Sequence, residues 1–198
     1  MTRSRLAVAA LLLIAGCIGA REPRRYFVLA DDATTAPAPA GVARGSLAVA
    51  ATTAAAFYDT TDIAYSKAPG TRAYYREASW TEPPADTIGR LLLSTVATDG
   101  AFESVTAATS GVRTDLLLTT VLLDLHHEAA TAPGSVRVEL AAELIDLHTH
   151  ALIARRTFVT QAPAPSFDAA GAVAGLRSAT IAALREIDAW VVAARPLR

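Results

Sequence analysis

The chain has 198 residues, 52% of them hydrophobic and 19% charged, with a formal net charge of -1. That length suits a single domain with a real core, and the composition excludes a chain that is disordered throughout. Without residues 1–16, which hold Arg3 and Arg5 but no acid, 16 basic residues face 19 acidic ones, and such a balance leaves no footprint for nucleic acid.

The first element is an export signal. Arg3 and Arg5 form a basic start, residues 6–14 a short apolar run, and the small residues Ala15 and Gly16 lead into Cys17, the only cysteine. The run is far short of the roughly 20 residues that cross a bilayer, so it reads as a signal peptide over 1–16 and not as an anchor. The tetrapeptide Ile14-Ala15-Gly16-Cys17 resembles a bacterial lipobox. That resemblance implies diacylglycerol on the Cys17 thiol, cleavage before Cys17, and an N-acyl chain on the new amino group. A thiolate is the best nucleophile among the side chains, which is why a cysteine serves there. Each buried methylene contributes about 0.8 kcal/mol, so two or three acyl chains hold where one would not. No other cofactor is implied. Ile18 and Gly19 lack the aspartate that commonly retains lipoproteins in the inner membrane, so for a Gram-negative cell the analogy favours the outer membrane, facing the periplasm.

Residues 17–25 read as a lipidated tether and 26–198 as one domain. Tyr26-Phe27-Val28-Leu29 is a short strand, and residues 30–45, with Pro37, Pro39 and Gly41, a loop. Strands follow at SLAVA from Ser46, DIAYS from Asp62 and RAYYREASW from Arg72, with a turn at KAPGT. The period changes at TEPPADTIGRLLLSTV, where Pro83 and Pro84 suit a first helical turn and Ile88, Leu91, Leu92, Thr95 and Val96 recur at helical spacing until Gly100. FESVTAA then reads as a strand, so strand, helix and strand suggest a crossover that places two strands in parallel.

Residues 116–125 are apolar on both alternating faces, which predicts a central strand with Leu118 and Val121 buried. In SVRVELAAELID, Val136, Val138, Leu140, Ala142 and Leu144 share one face, and Arg137, Glu139 and Glu143 the other. This strand should pair with its predecessor through the ATAPGS turn. ALIARRTFVT completes a meander after a turn at residues 148–150. From Asp168, a stripe of Val173, Leu176, Thr180, Leu184, Ile187 and Val191 predicts an amphipathic helix packed on the sheet. The fold class is therefore α/β (α+β), a twisted mixed β-sheet with two main helices packed on it.

Histidines are the obvious ligand material, at 126, 127, 148 and 150. A hairpin centred near residues 131 and 132 sets His126 across from Arg137 and His148 across from Asp115. The two groups then lie on the order of 35 Å apart along the strands, too far to share a metal. The chain has no G-x-S-x-G, no phosphate-binding loop and no G-x-G-x-x-G, so neither a catalytic nor a metal site is expected. Glu139 and Glu143 beside Arg137 read as a solvated face. Tyr65, Tyr74, Tyr75 and Trp80 suit the core, with Tyr74, Tyr75, Trp80 and Trp190 as alternative contacts for a partner or lipid, because such rings favour boundaries with one dry and one wet end.

The order and spacing of Cys17, YFVL, IAYS, YY, WTEPP, TDLLL, VRVELAAELID, RRTF and ALREIDAWV resemble the ABC-type transport auxiliary lipoprotein components, which include the PqiC/YmbA lipoproteins. That resemblance implies a domain similar to the amino-terminal domain of TolB. It also implies a non-catalytic accessory of an MCE-type system that moves lipids between the inner and outer membranes, with an MCE-domain protein as partner and a homo-oligomer as one form of assembly. The alternative is a structural or assembly lipoprotein that binds a β-barrel or the cell wall. A periplasmic hydrolase ranks third.

Overall fold

A computed structural model describes residues 23–29 and 43–195. The signal segment, Cys17, most of the tether and most of the 30–45 loop lie outside the described residues.

The described chain contains nine strands, β1 (Arg25–Phe27), β2 (Ser46–Val49), β3 (Thr53–Ala54), β4 (Asp62–Ser66), β5 (Ala73–Trp80), β6 (Ser104–Ala107), β7 (Leu116–Glu128), β8 (Ser135–Asp146) and β9 (Ala151–Pro163). Two α-helices, α1 (Pro84–Asp99) and α2 (Ala169–Ala194), and a single 3-10 turn at Ala108–Ser110 complete it. The spine is β7. One of its sides pairs antiparallel with β8, which pairs antiparallel with β9. The other side takes three short parallel strands end to end: β2 at Leu116–Leu118, β3 at Val121–Leu122 and β4 at His126–Glu128. β6 adds to β2 in parallel, β5 to β4 antiparallel, and β1 to β5 in parallel. The result is the expected mixed sheet with two helices on it.

Helix α1 starts on Pro84 and stops at Gly100, whose φ of 71° is the left-handed geometry that glycine adopts without strain. Asp168 caps α2 by accepting a hydrogen bond from the Gly171 N–H at 2.8 Å. All six residues of the predicted α2 stripe are buried. A second stripe of small residues, Gly171, Gly175, Ala179 and Ala183, recurs every four positions and brings the helix backbone close to β8 and β9. Thr160 on β9 donates its hydroxyl to the Ala179 carbonyl at 2.8 Å, a bond that only a close helix permits.

Two expectations change. The crossover through α1 exists, but its strands are not parallel partners: β6 lies beside β2, and β5 runs against the direction shared by β4, β7, β2 and β6. Both strands stand on the same side of β7, so the helix carries the chain along the spine, from the β4 end to the β2 end of the sheet. Likewise β7 is central and Leu118 is fully buried, yet Val121 is only half-buried and Leu123 is 38% exposed. Both helices cover the same face, where Leu116, Leu118, Leu122 and Leu125 meet Val138, Leu140, Leu144, Ile88, Leu92, Leu176 and Ile187. Among the described residues no helix lies over the opposite face of β7, so periodicity read its apolar content as burial that the layering does not provide.

Candidate functional site

The paired histidines point to opposite faces because they are neighbours on a strand. His127 turns inward and is fully buried. Its Nε2 lies 2.8 Å from the Pro133 carbonyl, which can only accept, so that nitrogen carries the proton, and Nδ1 takes the Tyr75 hydroxyl at 2.7 Å. The ring is satisfied at both ends and fastens the β7–β8 turn to the sheet.

His126 turns outward, and the register sets it across from Arg137, as expected. Its Nδ1 lies 2.6 Å from Asp124 Oδ1. The same carboxylate accepts from the Tyr58 hydroxyl at 2.5 Å and from Arg72 at 3.0 Å, and Arg137 Nε stands 3.8 Å away. Arg72 also donates to the Tyr58 oxygen at 2.9 Å, and Arg137 to Glu139 at 2.7 Å. Burial by itself would raise the Asp124 pKa, but the hydrogen bonds from His126 and Tyr58, with the His126 charge and Arg72, outweigh it and hold the group at about 2. Burial raises Tyr58 to about 12, so it stays a phenol and donates.

Asp124 thus ties β7 to β8, to the β4–β5 turn and to the segment before β4. Asp124→Asn should therefore cost about 2 kcal/mol of stability at neutral pH. The folded-state pKa is depressed, so this contribution is present above pH 4 and is lost as pH falls toward 2. Urea denaturation at pH 7 and near pH 2.5 should show the variant and the parent converging.

Two turns border this cluster with nearly the same sequence. Ala68-Pro69-Gly70-Thr71 leads to Arg72, and Ala132-Pro133-Gly134-Ser135 leads, one residue on, to Arg137. They sit at the ends of the parallel neighbours β4 and β7 and enclose a cleft of about 680 Å³. Gly134 has a φ of 83°, and a Cβ there would lie 2.3 Å from the Glu128 carbonyl, so the turn requires glycine.

At the far end of β7, His148 meets Asp115 through Nε2 at 2.8 Å. That bond, with those from the Ser46 hydroxyl and N–H, holds Asp115 at about 2. The histidine groups therefore sit at opposite ends of the spine, but the expected register holds only at the His126 end: an irregularity at Leu123 shifts it by one, so that Leu116 faces Asp146 and Asp115 lies beside Leu147. Among the described residues no three His, Cys, Asp or Glu side chains converge on one point.

The aromatic candidates separate. Trp80 is 1% exposed, in the core under the helices, so it presents no surface to a partner. Tyr75 is half-buried, bonded to His127 and packed against Tyr65. Tyr74 stacks on Phe57 with centroids 4.6 Å apart and donates to the Phe57 carbonyl at 2.7 Å. Trp190 packs edge-on against Phe158 and remains half-buried at the helix margin. Sequence reading missed the Asp124 cluster, because Tyr58, Arg72 and Asp124 are far apart in the chain; the similar A-P-G turns were the legible clue.

The sequence matches, over residues 27–188, a family described as the ABC-type transport auxiliary lipoprotein component. The chain belongs to that family. Its fold is similar to protein XCC0632 from Xanthomonas campestris, with a TM-score of 0.73 at 21% identity over 86% of this chain and 96% of the other. A second crystal structure, of an uncharacterized protein, gives a TM-score of 0.67 at 13% identity, covering 86% of this chain and 99% of its own. No curated protein matches the sequence. This auxiliary lipoprotein accordingly serves an ABC-type transport system. None of its described helices is long and apolar enough to cross a membrane.

Proposed function

We propose that this auxiliary lipoprotein is a non-catalytic outer-membrane component of an MCE-type system that moves lipids across the envelope, held by acyl chains on Cys17. The family match over most of the chain carries the reading, and the resemblance of residues 14–17 to a lipobox supports the anchor. Seven residues, 18–24, separate Cys17 from β1, a reach of about 27 Å to Arg25 at about 3.4 Å per extended residue, so the domain works close to the membrane face. Energy for transport has to come from a partner, since the sequence has no nucleotide-binding loop. The partner must therefore span the periplasm to reach the domain, which fits the carboxy-terminal end of an MCE subunit.

Affinity purification of the full chain from solubilised envelopes tests this. The MCE-domain subunit encoded beside it should co-purify in near-stoichiometric amount. Recovery of a β-barrel or cell-wall fragment with no MCE subunit would instead favour the structural alternative.

A further inference from the structure

The cleft between the twin A-P-G turns has a wall of unusual charge. Arg72, Arg137, His126 and Glu128 line it, and Asp124 and Glu139 orient the guanidiniums from outside the lining. Asp124 is ionised and can only accept, so His126 Nδ1 carries a proton toward it. The other ring nitrogen, Nε2, has no hydrogen-bond partner among the described residues, although the residue is only 2% exposed. Each guanidinium has five N–H donors in a fixed fork. Arg72 directs three of its nitrogens at Tyr58, Thr71 and Asp124, which fixes the plane and leaves further N–H bonds unused. Two oriented guanidiniums and an imidazole edge thus converge from two strands and a turn, and their ordering cost is already met in the fold.

Glu128 gives the wall its second pole. One carboxylate oxygen, Oε2, accepts the Ser135 hydroxyl at 2.8 Å, and the other accepts no hydrogen bond from the described residues of the cluster. On β7, Glu128 lies two residues beyond His126 on the same face, about 7 Å away at about 3.3 Å per residue. Arg137 faces His126 across the ladder, so the carboxylate and the cationic groups stand at separate points of the cleft, which suits an oxyanion and an ammonium held apart by a short linker. The cleft volume of about 680 Å³ is within the usual range for small-molecule sites.

We propose that this cleft binds an aminoalkyl phosphate ester of the ethanolamine-phosphate type, with Arg72 and Arg137 holding the phosphate and Glu128 the ammonium. Such a group occurs both as a soluble ester and as a lipid headgroup. The site is independent of where the protein docks: loss of MCE binding would leave it standing, and loss of the site would leave docking standing.

Calorimetric titration of the full chain in detergent tests it, with O-phosphoethanolamine, inorganic phosphate and ethanolamine as probes. O-phosphoethanolamine should bind saturably and more tightly than either fragment. Arg137→Ala should weaken it about tenfold or more, the usual worth of a charge-assisted hydrogen bond. Because Arg137 also stands near Asp124, Glu128→Gln is the decisive variant, since it keeps the shape and the Ser135 bond. It should weaken O-phosphoethanolamine about tenfold and leave inorganic phosphate unchanged. Competition by a monomeric short-chain phosphatidylethanolamine would identify the ligand as a lipid headgroup, and lack of competition would identify it as a soluble ester; both retain the site. Absence of saturable O-phosphoethanolamine binding, or equal effects of Glu128→Gln on both phosphates, would overturn it.

Discussion

Cys17→Ser should move the protein out of the membrane fraction. The expected chemistry is nucleophilic: a serine hydroxyl is hardly ionised near neutral pH, whereas a thiol supplies enough thiolate to take up diacylglycerol. Without that step the chain should remain an uncleaved precursor or, if another protease acts, a soluble periplasmic protein. No described helix can substitute as a spanning segment. The acyl chains proposed on Cys17 should then supply the anchoring, at about 0.8 kcal/mol per buried methylene. Fractionation after an alkaline wash, with metabolic labelling by a clickable palmitate, reads both consequences. Unchanged membrane association of an unlabelled Cys17→Ser protein would reject the anchor.

The largest effect on stability is expected from Gly171→Ala in the first turn of α2. Helix propensity favours alanine over glycine by up to about 1 kcal/mol, so an exposed position would gain. At Gly171 the close approach decides otherwise. A Cβ would stand 2.1 Å from the Ser166 carbonyl oxygen and 2.5 Å from its nitrogen, and backbone cannot rotate away as a side-chain tip can. The same segment carries Ser166 and the Asp168 cap, whose carboxylate takes the Gly171 N–H. Displacing it also loosens the cap, so a loss of about 3 kcal/mol is expected. Gly175→Ala meets Pro163 and Val136 at 3.0 Å and should cost less, because the Val136 methyls can yield. Urea denaturation of both variants would show whether the order holds, and a Gly171→Ala protein as stable as the parent would mean that α2 sits farther from the preceding turn.

Much of the fold was legible because its strongest signals are local. The alternation of Val136, Val138, Leu140, Ala142 and Leu144 fixed one face of β8, and the ATAPGS turn fixed the pairing that sets His126 against Arg137. The α2 stripe and the Gly100 stop follow from period and from a glycine that tolerates positive φ. β3, two residues long in an alanine-rich stretch, carried no period to read.

By itself, the sequence determined the order of the principal elements, the β7–β8 register next to the turn, the α2 buried stripe and the lipobox expectation at Cys17, because each depends on neighbours a few residues apart; the one-residue shift at Leu123 was not legible. Only the tertiary structure decided that both helices share one face and leave Val121 and Leu123 half-covered or exposed, that Trp80 is core, and that β6 joins β2. It also brought Tyr58, Arg72, Asp124, His126 and Arg137 together. Layering and strand order arise from contacts between distant segments, where burial of one face is settled by what packs above it, and no local period encodes that.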